Sequence, residues 1–138
     1  MKFNDLPKTD KRGREYALEN AAIESVSISN EDYGALTAWL NLKIGEYMGC
    51  GFGGFMLGKA DGDNLSGKGY CAEFLVRCMN TVGRSKWEDL KGCPLRCLTE
   101  GLGGGVVAIG HFLEDKWFCP SVEFKGEFEG IQTQGASR

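Results

Sequence analysis

The sequence predicts one α+β domain: a mainly antiparallel sheet of about five strands, with one amphipathic helix and a short second helix packed on one face. Three observations lead to this fold class. Residues 36–44 alternate apolar and polar side chains over nine positions, the pattern of a half-buried strand. Residues 70–82 carry apolar side chains at helical spacing. Two further runs with β-propensity, 94–100 and 106–113, follow the helix.

The length of the chain, 138 residues, suits a single domain. We expect the folded part to span residues 21–124. Residues 1–20 are charged and show no apolar period, so we expect a flexible N-terminal arm. Residues 125–138 are polar and contain few apolar side chains, so we expect a flexible C-terminal tail.

The 36–44 strand has one aliphatic face. Its other face presents the side chains that we predict as a candidate protein interface: Thr37, Trp39, Asn41 and Lys43. A second strand, 47–57, follows Gly45-Glu46, and two strands with a short glycine-containing connection predict a β-hairpin. The second strand contains GCGFGG at 49–54, where the glycines predict a bulge or a close approach to the backbone.

The elements around this hairpin are less sharply defined. Residues 21–29 predict a strand in which Ala22, Val26 and Ile28 share one face, opposite Ile23. The polar segment 58–69 predicts a flexible loop before the helix.

The helix 70–82 is the clearest element of the chain. Its apolar stripe consists of Cys71, Phe74, Leu75, Cys78, Met79 and Val82. Gly83 stands where a helix-ending glycine is expected. Ser85 and Glu88 match a capping box, which predicts the short second helix.

Composition argues against several classes of function. A formal net charge of −3 argues against a nucleic-acid-binding protein that acts through a broad basic face. No apolar run approaches 18 residues, so we predict no membrane-spanning helix. The six cysteines form no C-x-x-C pair and the chain has one histidine, so we predict no zinc site and no cofactor. Reduced, mostly buried thiols in a cytosolic protein are expected.

Two glycine-rich motifs resemble nucleotide-binding loops. Residues 49–54 match G-x-G-x-x-G, but the following residues continue a strand instead of opening a helix, so we favour a bulged strand. Residues 62–68 match G-x-x-x-x-G-K, but Gly69 replaces the Ser or Thr that holds magnesium. Lys68 and nearby backbone N–H groups could still hold a phosphate; a loop without a ligand is the alternative.

Cationic and aromatic side chains gather around the predicted helix–helix junction. Arginine for phosphate and tryptophan for a base suit a nucleotide pocket, although the same residues also suit an ordinary solvated helix end. The candidate ligand-binding residues are Lys68, Arg77, Arg84, Trp87, Arg96, His111 and Trp117. We interpret His111 as structural, because a catalytic base needs a nucleophile or carboxylate beside it. Without a catalytic constellation, we predict that the protein is not an enzyme.

Two stretches, 36–57 and 85–120, resemble a family of small bacteriophage and prophage proteins. The matching segments are LTAWLNLKIG, GCGFGGFML, SKWEDLKGCPLR and VVAIGHFLEDKWFCP. The resemblance implies a phage-encoded protein in the host cytoplasm. The family has no assigned activity, so the resemblance implies no catalytic or binding residue for this chain.

The leading hypothesis is a phage-encoded, homo-oligomeric binding protein that counters host immunity by sequestering a small nucleotide signal. The alternative is a protein–protein inhibitor that binds and blocks a host defence nuclease or effector through the Trp39 side of the sheet. The third hypothesis is an accessory protein of phage DNA metabolism. The formal net charge of −3 argues against direct DNA binding by such a protein.

Overall fold

A computed structural model describes residues 1–32, 34–61, 64–67, 69–101 and 105–124. The strands are β1 (Ala17–Asp32), β2 (Ala35–Ile44), β3 (Met48–Asp61), β4 (Asn64–Gly67), β5 (Pro94–Thr99), β6 (Val106–Gly110) and β7 (Trp117–Phe118). The α-helices are α1 (Gly69–Val82) and α2 (Pro120–Glu123), and 3-10 turns lie at Phe3–Asp5 and Glu88–Leu90. The predicted α+β class is confirmed, with seven strands instead of about five among the described residues.

The strands form one antiparallel sheet in the order β4-β3-β2-β1-β5-β6-β7. β1 is central and unusually long. Its residues 22–32 pair with β2, whereas its residues 17–22 pair with β5. Three strands separate β3 from β6 in the sheet, yet the two come into contact. The sheet is therefore strongly curved, with a concave and a convex face.

The concave face holds the main core, and α1 closes it. Phe74 of α1 lies between Phe52 of β3 and Phe118 of β7, with ring centroids 5.9 and 5.8 Å away. Phe118 in turn meets Phe124 at 5.7 Å, which adds the end of α2 to the same cluster. Each of these rings is at least 95% buried. The aromatic cluster thus ties the helix to two strands that are distant in the sheet.

The predicted alternation of β2 is confirmed. Ala38, Leu40 and Leu42 are buried in the core, while Asn41 and Lys43 on the opposite face are exposed. The apolar stripe of α1 is confirmed for Phe74, Leu75, Cys78, Met79 and Val82, all of which belong to or pack on the core; the side chain of Cys71 lies outside the description. Gly83 ends the helix at φ +95°, as predicted.

The predicted faces of the first strand are wrong. Register passes from Ile23 opposite Leu42 to Ser25 opposite Asn41, so Glu24 is an extra residue in β1. This bulge shifts the alternation by one position. Ile23 and Val26 therefore both lie on the core side, although the sequence places them on opposite faces; Ile28 is 45% exposed.

Two predictions for the connections are also wrong. The loop expected at 58–69 is a hairpin, because β3 extends to Asp61 and pairs with β4 from Gly58–Gly67 to Asp61–Asn64. Backbone pairing at a sheet edge does not need an apolar side-chain pattern, so polarity was a poor guide here. The short second helix is a single 3-10 turn, with no side-chain cap at Trp87. Buried Leu90 anchors this turn to the core in place of the capping box.

The N-terminal segment does not behave as the predicted flexible arm. β1 begins at Ala17, and Leu6 is 4% exposed in a second cluster on the convex face. That cluster consists of Leu6, Leu98, Ala108, Trp117 and Cys119. Main-chain bonds join Met1 and Trp117 in both directions, at 3.1 and 2.8 Å. The apolar side chains of this otherwise charged segment, Leu6 and Phe3, cover the convex side of β5, β6 and β7. The predicted tail, 125–138, lies outside the described residues.

The glycines of β3 accommodate the indole ring of Trp39. A Cβ atom at Gly51 would lie 2.7 Å from Cζ3 of Trp39, and one at Gly54 would also overlap the ring. Gly53, at φ +108°, would place a Cβ 2.5 Å from the carbonyl oxygen of Ala38. Register shifts between Leu36 and Trp39 mark the same place as irregular. The predicted close approach to the backbone is confirmed, and the approaching group is Trp39.

We expect Gly51→Ala to lower the free energy of unfolding by about 1–3 kcal/mol, because the new methyl group overlaps a packed ring. Chemical denaturation measures the loss. Gly49→Ala is the matched control on the same strand, since its nearest neighbour is the Leu42 carbonyl at 3.9 Å. Equal losses in the two variants would contradict the assigned role of Trp39.

Candidate functional site

The predicted ligand-binding residues do not form one pocket in the described structure. Arg77 lies on the exposed side of α1, Arg84 and Trp87 lie in the connection after it, and Arg96 and Trp117 lie on the convex face. Lys68 lies outside the described residues. Each of the three arginines is engaged by the protein itself, as the contacts below show.

Arg77 links α1 to α2. Its Nη1 donates to Oε1 of Glu123 at 3.0 Å, and its Nη2 lies 3.9 Å from Oε2 of Glu73. Burial raises the pKa of Glu123, while the neighbouring Arg77 opposes that shift. Two carboxylates beside one guanidinium disfavour an additional anion, so this arginine is better explained as a helix-to-helix contact than as a phosphate ligand.

Arg84 and Trp87 support the 3-10 turn that precedes β5. Nε of Arg84 donates to Sγ of Cys93 at 3.2 Å, and that thiol donates to the carbonyl oxygen of Asp89 at 3.3 Å. Trp87 is half-buried and packs on the main core. Its Nε1 is buried without an acceptor in the described part of the chain. The ring is thus mostly a core contact rather than an open stacking surface.

Arg96 and Trp117 do not join the residues of the helix–helix junction; they contact each other as a structural pair. The guanidinium lies 5.0 Å from the centre of the indole ring. Trp117 is only 2% exposed, and a Cβ at Gly110 would lie 2.5 Å from its ring. The indole is also covered by Phe3, with centroids 5.3 Å apart. A base cannot stack on this ring without displacing these neighbours.

His111 shapes the turn that follows β6. Its Nδ1 accepts the backbone N–H groups of Leu113 at 3.1 Å and Glu114 at 3.0 Å. Its Nε2 lies 3.3 Å from Oε2 of Glu114. Because Nδ1 accepts, the proton of the neutral ring resides on Nε2 and faces that carboxylate. Both nitrogens serve the turn, which supports a structural histidine.

Residues 111–115, which we call the 111–115 turn, are held from three directions. His111 fixes them from within. Arg96 donates from Nε to the carbonyl oxygen of His111 at 2.9 Å and from Nη2 to that of Glu114 at 2.8 Å. Oδ1 of Asp115 accepts the N–H of Phe3 at 2.7 Å. The turn is therefore rigidly built.

The 111–115 turn displays apolar side chains to solvent. Leu113 is 81% exposed and Phe112 is 39% exposed. Beside them lies a shallow depression of about 450 Å³, lined by Met1, Lys2, Glu114, Asp115 and Lys116. Sequence reasoning did not identify this surface. The sequence does contain a signal for it, because the apolar pair Phe112-Leu113 stands directly before the charged residues 114–116. The pair was interpreted as the end of the strand predicted at 106–113.

The predicted interface on β2 is partly present at the surface. Asn41 and Lys43 are exposed, and Nδ2 of Asn41 donates to Oγ of Ser25 on β1 at 2.9 Å. Trp39 is half-buried because its ring lies over the β3 glycines. Thr37 is 3% exposed, so its prediction as a contact residue is wrong.

The described residues offer little for metal or thiol chemistry. No group of three or more His, Cys, Asp or Glu side chains within them could hold a metal ion. Burial raises the pKa of Cys78, Cys97 and Cys119, and that of Cys97 to about 12. These thiols therefore stay protonated at neutral pH. No helix in the described ranges is long and apolar enough to span a bilayer.

We expect Cys78, Cys97 and Cys119 to alkylate much more slowly than half-buried Cys50 when the folded protein is treated with iodoacetamide at neutral pH. The thiolate is the reactive form, and burial disfavours it. Mass spectrometry of tryptic peptides gives the order of modification, and the denatured protein is the control. Rapid labelling of Cys78 in the folded protein would contradict its place in the core.

The pH dependence of stability tests the Arg77–Glu123 contact. Because the folded pKa of Glu123 is raised above its ordinary value of 4.5, the folded state holds this proton more tightly than the unfolded state. The stability of the native chain relative to Glu123→Gln should therefore be greatest below pH of about 4 and fall as the pH rises through the folded pKa.

Urea denaturation of both proteins between pH of about 4 and 7 measures this difference. Arg77→Gln in both backgrounds is the control. It removes the cation that lowers the pKa of Glu123, so the decline should become steeper. A relative stability that rises with pH would show that ion pairing, not burial, controls Glu123.

Comparison of the chain with protein-family models, with curated proteins and with solved structures finds no match.

Proposed function

We propose that this chain is a non-enzymatic binding protein that blocks a partner protein, and that the 111–115 turn is its principal contact. One observation carries the proposal: Leu113 is 81% exposed on a turn that is fixed by His111 and Arg96. A single exposed leucine is ordinary on a protein surface. An exposed leucine on a turn held by this many hydrogen bonds is preorganised for contact.

The energetics favour a contact of this kind. Full burial of one leucine side chain contributes about 1.5–3 kcal/mol. A rigid turn retains most of this gain, because little conformational entropy remains to be lost on binding. The side chain of Glu114 is 68% exposed beside the apolar pair. The complementary partner surface is therefore an apolar pocket with a cationic residue at its border.

The resemblance to small phage proteins supplies the biological setting of the proposal. A phage-encoded protein of this kind would act in the host cytoplasm, where a defence nuclease or another immune effector is the partner class. This part of the proposal rests only on the resemblance to phage proteins. Its physical support is the geometry of the 111–115 turn.

Sequestration of a nucleotide signal fits the described geometry less well. Arg77, Arg84 and Arg96 already donate to protein acceptors, and Trp117 is buried. A phosphate at these residues must replace existing hydrogen bonds. Native mass spectrometry of the protein purified from bacteria separates the two hypotheses, since a co-purified nucleotide would favour sequestration.

We expect Leu113→Asp to weaken partner binding at least tenfold, because it places a charge in the predicted apolar contact and about 1.4 kcal/mol corresponds to tenfold. Affinity purification from bacteria identifies the partner, and titration of the purified pair measures the dissociation constant. Tyr47→Asp is the matched control, since Tyr47 is 95% exposed on the β2–β3 turn. Equal effects of the two substitutions would remove the 111–115 turn from the interface.

A further inference from the structure

The hydrogen bonds that order the 111–115 turn depend on the charge state of His111. Nδ1 of its ring accepts the N–H groups of Leu113 at 3.1 Å and Glu114 at 3.0 Å, so this nitrogen carries no hydrogen. Imidazole is the side chain that ordinarily changes its charge between pH of about 5 and 8. The neutral ring has one nitrogen that accepts, whereas both nitrogens of the charged ring donate. The two hydrogen bonds therefore require the neutral ring.

Rotation of the ring does not restore these bonds once a second proton is bound. Nε2 already carries the hydrogen of the neutral ring, so the second proton binds Nδ1 and points towards the two N–H groups. A ring turned over presents the N–H of Nε2 in the same place. The N–H groups of Leu113 and Glu114 then face a donor instead of an acceptor. The charged ring and the ordered turn therefore exclude each other.

Groups of both charges lie around the ring. Oε2 of Glu114, in the turn itself, lies 3.3 Å from Nε2. From β5, Nε of Arg96 donates to the carbonyl oxygen of His111 at 2.9 Å. The end of α1 meets the ring through Gly83, where a Cβ atom would lie 3.7 Å from Nε2. Gly83 brings no charge, and the guanidinium of the next residue, Arg84, donates to a thiol of the turn before β5.

Other charged groups lie in the same turn and in the N-terminal segment. Oδ1 of Asp115 accepts a main-chain N–H of that segment at 2.7 Å. Met1, Lys2 and Lys116 line the depression beside Glu114. Glu114 contacts Nε2, which keeps its hydrogen in both charge states of the ring. This carboxylate therefore does not replace the acceptor that is lost at Nδ1.

The loss affects the part of the turn that carries Leu113. The ends of the turn keep hydrogen bonds that do not involve the ring. Arg96 donates to the carbonyl oxygens of His111 and Glu114, and Asp115 accepts from the N-terminal segment. The turn therefore stays attached at its ends when the ring becomes charged, while the main chain at Leu113 is released.

We propose that His111 is a pH-sensitive switch: its neutral ring orders the 111–115 turn, and its charged ring loosens the turn at Leu113. Acid then reduces the preorganisation of the exposed leucine and weakens the binding of a partner protein. The effect on binding rests on the function proposed above. The effect on the turn rests only on the hydrogen bonds of His111.

Nuclear magnetic resonance of the full, isotope-labelled chain between pH of about 4.5 and 7.5 tests the switch without a partner. The ¹⁵N shifts of the ring report the tautomer and the charge of His111, and ¹⁵N relaxation reports the order parameter of each amide. The order parameter of Leu113 should be near 0.85, as in rigid backbone, while the ring is neutral, and should fall below about 0.6 when the ring is charged. The amide of Leu40 in β2 is the internal reference and should stay rigid.

Two variants assign the response to the ring of His111. In His111→Asn, the side-chain oxygen accepts main-chain N–H groups that follow it, as in an Asx turn, and it does not titrate. This variant should keep Leu113 ordered over the whole pH range. Glu114→Gln is the matched control for the carboxylate beside the ring, and its Leu113 should still become mobile in acid.

A Leu113 amide that stays rigid while the ring becomes charged would overturn the proposal. So would a ring that remains neutral down to pH of about 4.5, or an acid response that persists in His111→Asn. Titration with the partner then tests the consequence for binding. Between pH of about 7.5 and 5, the dissociation constant of the wild type should rise about tenfold more than that of His111→Asn, because two hydrogen bonds are lost. A switch seen by magnetic resonance without this rise would contradict the proposed contact at Leu113, and not the switch.

Discussion

The curvature of the sheet depends on the two-sided pairing of β1. One half of this strand pairs with β2 and the other with β5, and the bulge at Glu24 lies where the pairing changes. At the same point, Ile23 exchanges main-chain hydrogen bonds with Gly92 and Cys93, at 2.6 and 2.9 Å. A bulge increases local twist. Twist at this point brings β3 and β6 together, so that one concave core can form.

The aromatic cluster is the consequence of that curvature. Phe52 and Phe118 belong to opposite parts of the sheet, yet both rings reach Phe74 on α1. In a flat sheet of this order these strands would be separated by several strand widths. The helix therefore completes a core whose shape β1 has already determined.

The two parts of the convex face differ in what covers them. Over β5, β6 and β7, Leu6 and Phe3 cover an apolar surface that includes Trp117. Over β1 and β2, Ser27 and Asn41 are exposed, and the half-buried Trp39 ring lies against the glycines of β3. The 111–115 turn projects beside the covered part, because Arg96 ties it there. The side chains that this turn exposes are therefore held in place by hydrogen bonds from the protein itself.

Local patterns in the sequence determined the fold class, the alternating faces of β2 and the apolar stripe of α1, because these depend on residues within a few positions of one another. The close approach at 49–54 was also readable, since several glycines in one strand leave room for a neighbour. The sequence did not show that the arginines would be unavailable for a ligand pocket. Their hydrogen-bond acceptors are far away along the chain, and a local pattern cannot identify such partners. Arg77 meets Glu123 and Arg96 meets His111, at separations of 46 and 15 residues.

Only the tertiary structure decided which face each residue of β1 occupies, since the bulge at Glu24 reverses an alternation that the sequence alone continues. The packing of the charged N-terminal segment also depends on the tertiary structure. Leu6 is buried only because the fold brings it against Leu98 and Trp117. The same holds for the 111–115 turn, whose rigidity comes from Arg96 on another strand. The local spacing of residues in the sequence therefore predicts the helices and strands. Which of their side chains come into contact depends on the curved sheet, because burial and hydrogen bonding require residues to be close in space.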